Sequence, residues 1–416
     1  MPGTTANPHQ WIVSQIGSRQ HYGVPRGFEA LGGLKRFYTD AWCPEPLRRL
    51  LRRSTGTLRA FGTRWHSEIP DEKVLSRNLV SARNGVHQKL LGSMTNEQQY
   101  SCHLRVGREF DRFVARDLAR PRRADLQTDA FFGFNTGCLE TLQLMRQRGI
   151  PTVLDQIDPA KVEEDLIYAE AAKWPGWQRL TGRAPSEYWE HLAAEWKAAD
   201  LIVANSEWSK RALVEQGVPA SKIFIVPVAY EPEGAVAPRP LKRGPLTVLW
   251  LGSVIIRKGI PYLFEAARRL SKADLRFVVA GPIGLTEEAL AFAPSNVEFI
   301  GRVTRDRIDE VYRNADIFVL PTISDGFAIT QVEAMSKGLP VIATPNCGEV
   351  VTDGVDGLIV SAGDGAALAA AIATLDGDRG LLSEMSRNAI RRSANFSLAR
   401  QTREIEAAVS TVLLSA

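Results

Sequence analysis

Short apolar runs rich in Val, Ile and Phe recur through the second half of the chain, most closed by Gly or Pro: TVLWLG (247–252), LRFVVAG (275–281), VEFIG (297–301), ADIFVLP (315–321), LPVIAT (339–344) and GLIV (357–360). Between several of them lie segments with helical period, at 260–271 and 306–314, and two more, at 364–375 and 379–393, close this half. Buried strands alternating with helices indicate a parallel sheet covered on both faces. The first half repeats the pattern less cleanly, with candidate strands at 10–15, 35–40, 129–135, 151–156, 200–206 and 222–229 and a helical segment at 136–148. Ser206 stands where it would cap a helix running from Glu207 towards Gln216, with Gly217 beyond its end.

Residues 231–245 (EPEGAVAPRPLKRGP) carry four prolines and two glycines, a linker composition. The expected organisation is α/β: a first Rossmann-like domain over 1–232, a hinge near 231–245, and a second such domain over 240–395. A final helix, about 396–416, is expected to pack back onto the first domain. Ligands of doubly wound sheets bind beyond the carboxyl ends of the strands, which puts the site in the cleft between the domains.

Within SDGFAITQVEAMSKGLPVIATP, Asp325 and Glu333 stand eight positions apart across a loop-to-helix junction. At 1.5 Å rise per residue the two carboxylates lie on the order of 10 Å apart. Between them fall the backbone amides of Phe327, Ala328 and Ile329, at a helix N-terminus that favours an anion. Gly326 and Ala328 have little side chain to keep a ligand from the backbone. Polyol, diphosphate, polyol is the order of groups in a nucleotide sugar. WLGSVIIRKGIPYLFEAARRL (250–270) adds Arg257 and Lys258 at the carboxyl end of another strand of the same sheet, where cations stabilise a departing diphosphate.

Together these residues resemble the retaining glycosyltransferases of family 4 (glycosyl transferases group 1), which have the GT-B fold. The resemblance rests on DGFAITQVEAM (325–335), KGLPVIAT (337–344), GEVVTDGVDGLIV (348–360), the Gly252-to-Gly259 element, AADLIVANS (198–206) and KIFIVP (222–227). It implies two doubly wound domains facing across a cleft. It implies a hexose-type sugar moved from a nucleotide donor, UDP- or GDP-type, to a hydroxyl on a glycan, lipid-linked or small-molecule acceptor. Retention, no metal cofactor and a place in polysaccharide or glycolipid assembly are implied as well. By the same resemblance Asp325 holds the donor hexose, Glu333 the ribose, and Lys258 the diphosphate. Phe327 to Ile329 form the phosphate nest, Gly281 and Gly301-Arg302-Val303 border base and ribose, and Gly32-Gly33 is the glycine-rich loop near phosphates and acceptor. The chain departs from the pattern in Asp for Glu at 325, Ala for Gly at 328 and Ser253 for Arg, for which Arg257 supplies the charge. No His follows the strand at 151–156; Asp155, Gln156 and Asp158 stand there instead. A scaffold subunit that holds a nucleotide sugar, or a GT-B epimerase, keeps the same binding residues.

Composition adds little. The net charge of +4 does not argue for nucleic acid as partner. Cys43, Cys102, Cys138 and Cys347 are scattered without a C-x-x-C pair, so neither disulfide framework nor zinc ribbon is expected. A secretory signal and a membrane span are not expected, which leaves a cytoplasmic protein, possible contact with the inner face of the membrane included. For that contact, 44–66 carries Arg48, Arg49, Arg52, Arg53, Arg59 and Arg64 beside Leu47, Leu50, Leu51 and Leu58. The aromatics of 174–196 read as packing, His87 and His103 as candidates for the acceptor side, and Asp376-Gly377-Asp378 as a surface turn rather than a metal triplet.

Overall fold

A computed structural model describes residues 9–51, 54–78, 94–120, 128–232 and 244–413. Two all-parallel sheets account for every strand among these residues. The first has the order β3-β2-β1-β4-β5-β6-β7, from Trp11–Gln15 (β1), Leu34–Thr39 (β2), Val74–Ser76 (β3), Ala130–Phe134 (β4), Thr152–Gln156 (β5), Leu201–Ala204 (β6) and Ile223–Ile225 (β7). The second has the order β10-β9-β8-β11-β12-β13, from Leu246–Leu251 (β8), Leu275–Ala280 (β9), Val297–Gly301 (β10), Ile317–Leu320 (β11), Val341–Ala343 (β12) and Gly357–Ile359 (β13). The apolar runs form the strands because both faces of each sheet are covered: β1, β4 and β5 are buried throughout, as are β11 and β12. This is the doubly wound architecture expected, twice over.

Several elements have no counterpart in the apolar pattern, among them one strand and one long helix that shape the first domain. The edge strand β3 is three half-buried residues. The helix Asn96–Leu118 is mostly polar; its buried stripe holds Leu104, Phe110 and Val114 among other residues, and Thr95 and Gln98 close its N-terminus as a capping box. Of the hinge expected near 231–245, residues 233–243 lie outside the described residues, as do Arg52, Arg53 and His87.

The chain passes between domains at two neighbouring places. The Tyr230 N–H donates to the Phe396 carbonyl at 2.7 Å, and Phe396 packs 5.9 Å from Phe327 in the core of the second domain. From there Leu398–Leu413 runs back along the first domain, where Ile405, Ala408 and Val409 share a core with Trp11, Phe28 and Phe132. Trp11 Nε1 donates to Glu406 at 2.5 Å. The approach depends on Gly27, whose missing Cβ would stand 2.0 Å from Thr402 Oγ1. Gly27→Ala should therefore destabilise the protein by about 1–3 kcal/mol through overpacking, read as a lower denaturation midpoint. A neutral result would mean that this helix seats itself without the glycine.

Candidate functional site at the facing switch points

Strand order reverses direction between β8 and β11 in the second sheet and between β1 and β4 in the first, and such points open crevices at the carboxyl ends. The residues singled out from sequence in the second domain stand at its crevice. Gly259 (φ 77) turns the loop after β8 so closely past β11 that a Cβ there would meet the Pro321 carbonyl at 1.8 Å. That approach joins the two motifs. Lys258 Nζ forms an ion pair with the Asp325 carboxylate, and the Arg257 carbonyl accepts from Ile323 N–H at 2.8 Å and from Thr322 Oγ1 at 3.0 Å. Burial, aided by the positive Arg257, pushes the Lys258 ammonium down to about 7, against the pull of the Glu163 carboxylate.

Arg257 reaches out of its own domain. Its Nη1 donates to Glu163 at 3.2 Å and to the Ser324 carbonyl at 3.0 Å. Ser324 Oγ donates to the same Glu163 at 2.9 Å and accepts from Trp208 Nε1 at 3.1 Å. Glu163 sits on the first-domain helix Lys161–Lys173, and burial raises its carboxyl while Arg257 opposes the rise. Sequence reading missed Glu163, which stands in a polar KVEED stretch with no motif around it.

The nest past Asp325 differs from the expectation in two respects. The Ala328 N–H is already donated to the Cys347 carbonyl at 3.2 Å, so the free amides are those of Phe327 and Ile329, at a helix without a side-chain cap. Gly326 is small because the other domain is close: a Cβ would meet the Ile157 carbonyl at 2.3 Å, and Ser206 Oγ donates to the Gly326 carbonyl at 2.7 Å. Ser206 also accepts from Ser209 N–H, so the residue read as a helix cap serves both helix and interface.

Glu333 stands one turn into the helix Ile329–Ser336, where it accepts from the Tyr312 hydroxyl at 2.8 Å. Gly252, Gly281 and Gly301 close three adjacent strands and touch through their backbones, Gly252 N–H to Ala280 and Gly281 N–H to Gly301. A Cβ on Gly281 (φ 141) would overlap the Gly252 carbonyl at 1.7 Å. Ser253 and Arg302 are exposed and Val303 half-buried at this rim. Gly32 and Gly33 are not part of the site. They precede β2, where Gly33 accepts from Trp11 N–H, so they lie at the amino ends of the strands and away from the cleft. The loop that does follow β1 is Ile16 to Tyr22.

Above the first switch point lies a cavity of about 790 Å³, walled by the carboxyl ends of β1, β4 and β5, by the helix Asn96–Leu118, and by Ile255 and Arg257 across the cleft. His103 and Asp158 line it. Asp155 lies beneath, its carboxyl pushed up to about 7 by burial. The five non-glycine residues of positive φ among the described residues are Gln20, His21, Tyr22, Thr136 and Ala160, all in the loops after β1, β4 and β5. Trp174 and Trp177 belong to packing between domains: Trp177 stacks on Phe292 at 5.6 Å. Asp376 pairs with Arg379 and Asp378 caps the helix Arg379–Ser393, roles within a turn. No group of three or more His, Cys, Asp or Glu among the described residues is arranged to hold a metal.

Two Rossmann-like domains with facing crevices define the GT-B fold, which the chain shares with an Anabaena protein, HepE, solved in complex with UDP-glucose (TM-score 0.58, 13% identity, 98% of this chain and all of that one). Residues 245–378, the body of the second domain, match the family described as glycosyl transferases group 1. Among curated proteins the chain is similar to a D-inositol 3-phosphate glycosyltransferase of Nocardia farcinica, 33% identical over 226 residues, 48% of this chain and 50% of that one. It is also similar to a provisional colanic acid biosynthesis glycosyltransferase of Escherichia coli K12, 27% identical over 345 residues, 77% of this chain and 79% of that one. The chain thus spans about half the length of the first of these relatives.

A lysine titrating at about 7 binds an anion best while protonated, hence below that pH, and progressively less above it. Affinity for a nucleoside diphosphate should fall by up to about tenfold per pH unit between pH 7.5 and 9, where the diphosphate is already fully ionised. Lys258→Arg should flatten the slope. Calorimetric titration checks both, and a flat wild-type profile would remove Lys258 from the anion site.

Proposed function

We propose that this protein is a retaining hexosyltransferase of family 4 that moves a sugar from a nucleoside-diphosphate donor to a hydroxyl acceptor in polysaccharide or glycolipid assembly. The observation that carries the reading is the meeting of Lys258, Asp325 and the Phe327 and Ile329 amides at the second switch point. A diphosphate there takes the two amides and Lys258; the Asp325 carboxylate, released from the lysine, accepts from hexose hydroxyls. Glu333 accepts from the ribose hydroxyls, and the Gly252, Gly281 and Gly301 rim, with Ser253, Arg302 and Val303, borders the nucleoside. The acceptor enters from the 790 Å³ cavity of the first domain.

In the step itself the bond from the anomeric carbon to the diphosphate oxygen breaks. The acceptor oxygen bonds to that carbon on the same face, and its proton passes to the departing diphosphate. The protein contributes position and charge: Lys258 and Arg257 face the oxygen on which negative charge grows. No metal is required in this scheme. Lys258→Ala and Glu333→Ala should each weaken donor binding roughly tenfold to a hundredfold, the worth of one charge-assisted hydrogen bond. Asp325→Ala should lower kcat more than affinity. A thermal-shift screen with UDP, GDP, ADP and their sugars, followed by transfer assays and product stereochemistry, tests the reading; donor binding without any turnover would favour a scaffold.

A membrane-facing role for 44–66, on the cytoplasmic side, has its own support. Leu50 (74% exposed) and Leu58 (59%) project from the short helices Glu45–Leu51 and Gly56–Gly62, flanked by exposed Arg49 and Arg59. Arg48 and Arg64 do not contribute, since Asp71 and Asp40 neutralise them. Asp40, which holds Arg64, also lines the cavity. No helix among the described residues is long and apolar enough to cross a membrane. Replacing Leu50 and Leu58 by Ser and Arg49 and Arg59 by Gln should abolish sedimentation with phosphatidylglycerol vesicles, at about 1 kcal/mol per basic residue plus the apolar area. Unchanged sedimentation would refute the contact.

A further inference from the structure

The acceptor cavity holds a cation that has no ion-pair partner among the described residues. Arg19, in the loop after β1, lines it, and its side chain makes no hydrogen bond or ion pair among the described residues; its Nη1 is buried and unpartnered. Its guanidinium carbon lies 5.6 Å from the centre of the Phe134 ring. Two neutral polar groups on the same wall share that condition. Ser14 Oγ, at the end of β1, and Asn135 Oδ1, just past β4, are buried without partners, in residues only 2% and 4% exposed.

The other charges lining the cavity are engaged. Asp40 pairs with Arg64 and accepts from Gly17 N–H at 2.8 Å. Asp158 accepts from Gln156 Nε2 at 2.9 Å and from Ala160 N–H at 3.0 Å. Glu163 and Arg257 hold each other. Asp155, below, feels Arg19 without forming an ion pair, and its burial favours the neutral acid. His103 is held towards its neutral form by burial and by Arg19.

The loops carrying these groups are fixed in advance. Gln15 Nε2 donates to the carbonyls of Gly17 and Arg19 at 3.0 and 3.2 Å, and Gln401, from the C-terminal helix, donates to Gln20 Oε1 at 3.2 Å. Glu195 accepts from the N–H groups of Thr136 (2.7 Å) and Cys138 (3.1 Å), which pins the turn beyond Asn135. Left-handed non-glycine backbone costs roughly 1–3 kcal/mol per residue, and here it is concentrated where these polar groups are presented.

We propose that the acceptor is a hydroxylated sugar or polyol bearing one anionic group, carboxylate or phosphate, that docks on Arg19 while Ser14 and Asn135 engage neighbouring hydroxyls. The proposal rests on the acceptor side of the transferase reading; it adds the charge of the substrate. A guanidinium that lines the cavity without an ion-pair partner favours such a ligand over its neutral analogue, because the anion supplies the pairing that Arg19 lacks.

The test is calorimetric titration of the full chain with glucose, galactose and mannose, each as neutral sugar, hexuronate and 6-phosphate, with and without nucleoside diphosphate. At least one charged member should bind roughly tenfold or more tightly than its neutral parent. Uronate and phosphate arms tell which anion is preferred. Arg19→Gln should bring the charged member down to the neutral level, and Arg19→Lys should restore part of the difference. Unchanged diphosphate affinity in both variants shows that fold and donor site survive. Equal binding of charged and neutral members, no binding of any charged member, or a preference that survives Arg19→Gln overturns the proposal. Failure of every nucleoside diphosphate to bind would instead remove the transferase reading, and an Arg19-dependent preference would stand beside it.

Discussion

One half-buried carboxylate ties the two halves of this molecule together at the cleft. Glu163 takes Arg257 and Ser324 from loops at the second switch point while standing on a helix of the first domain. Without it, the Arg257 guanidinium would lose its ion-pair partner across the cleft, a costly loss for a partly buried charge. The contact also sets where the crevices face each other. Gly326 against Ile157 and Ser206 against the Gly326 carbonyl lie beside this ionic contact and close the same part of the cleft.

The cleft is therefore charged on one wall and strained on the other. On the second domain, cations and amides gather where two strands diverge, and the lysine among them is poised near neutrality by burial. On the first, non-glycine residues in left-handed conformation hold short polar side chains and one guanidinium towards the cavity. A rigid first wall suits a group that must be presented to a reactive carbon in one orientation.

Much of the fold was legible because buried parallel strands must be apolar on both faces, which makes runs such as ADIFVLP stand out. The edge strand β3 is itself only half-buried and too short a run to be seen, and Asn96–Leu118 hides a narrow buried stripe in a polar sequence. In the site, Lys258 and Asp325 were legible as motifs, but their direct pairing was not, since it follows from the approach of Gly259 to Pro321. The glycine pair 32–33 misled because a tight turn at either end of a strand has the same composition; only the topology says which end. Arg19 and Glu163 escaped because a single charged residue outside a motif carries no signal until the fold surrounds it.

The last helix has a consequence for how the molecule is made. Ile405, Ala408 and Val409 complete the core around Trp11 and Phe28, so the first domain is finished by residues that follow the second in the chain. On the ribosome the nascent chain must keep that apolar surface unsealed until the second domain has emerged in full. The first domain thus closes only after the second has been made, and a chain cut short before Leu398 keeps an open flank where a chaperone would bind.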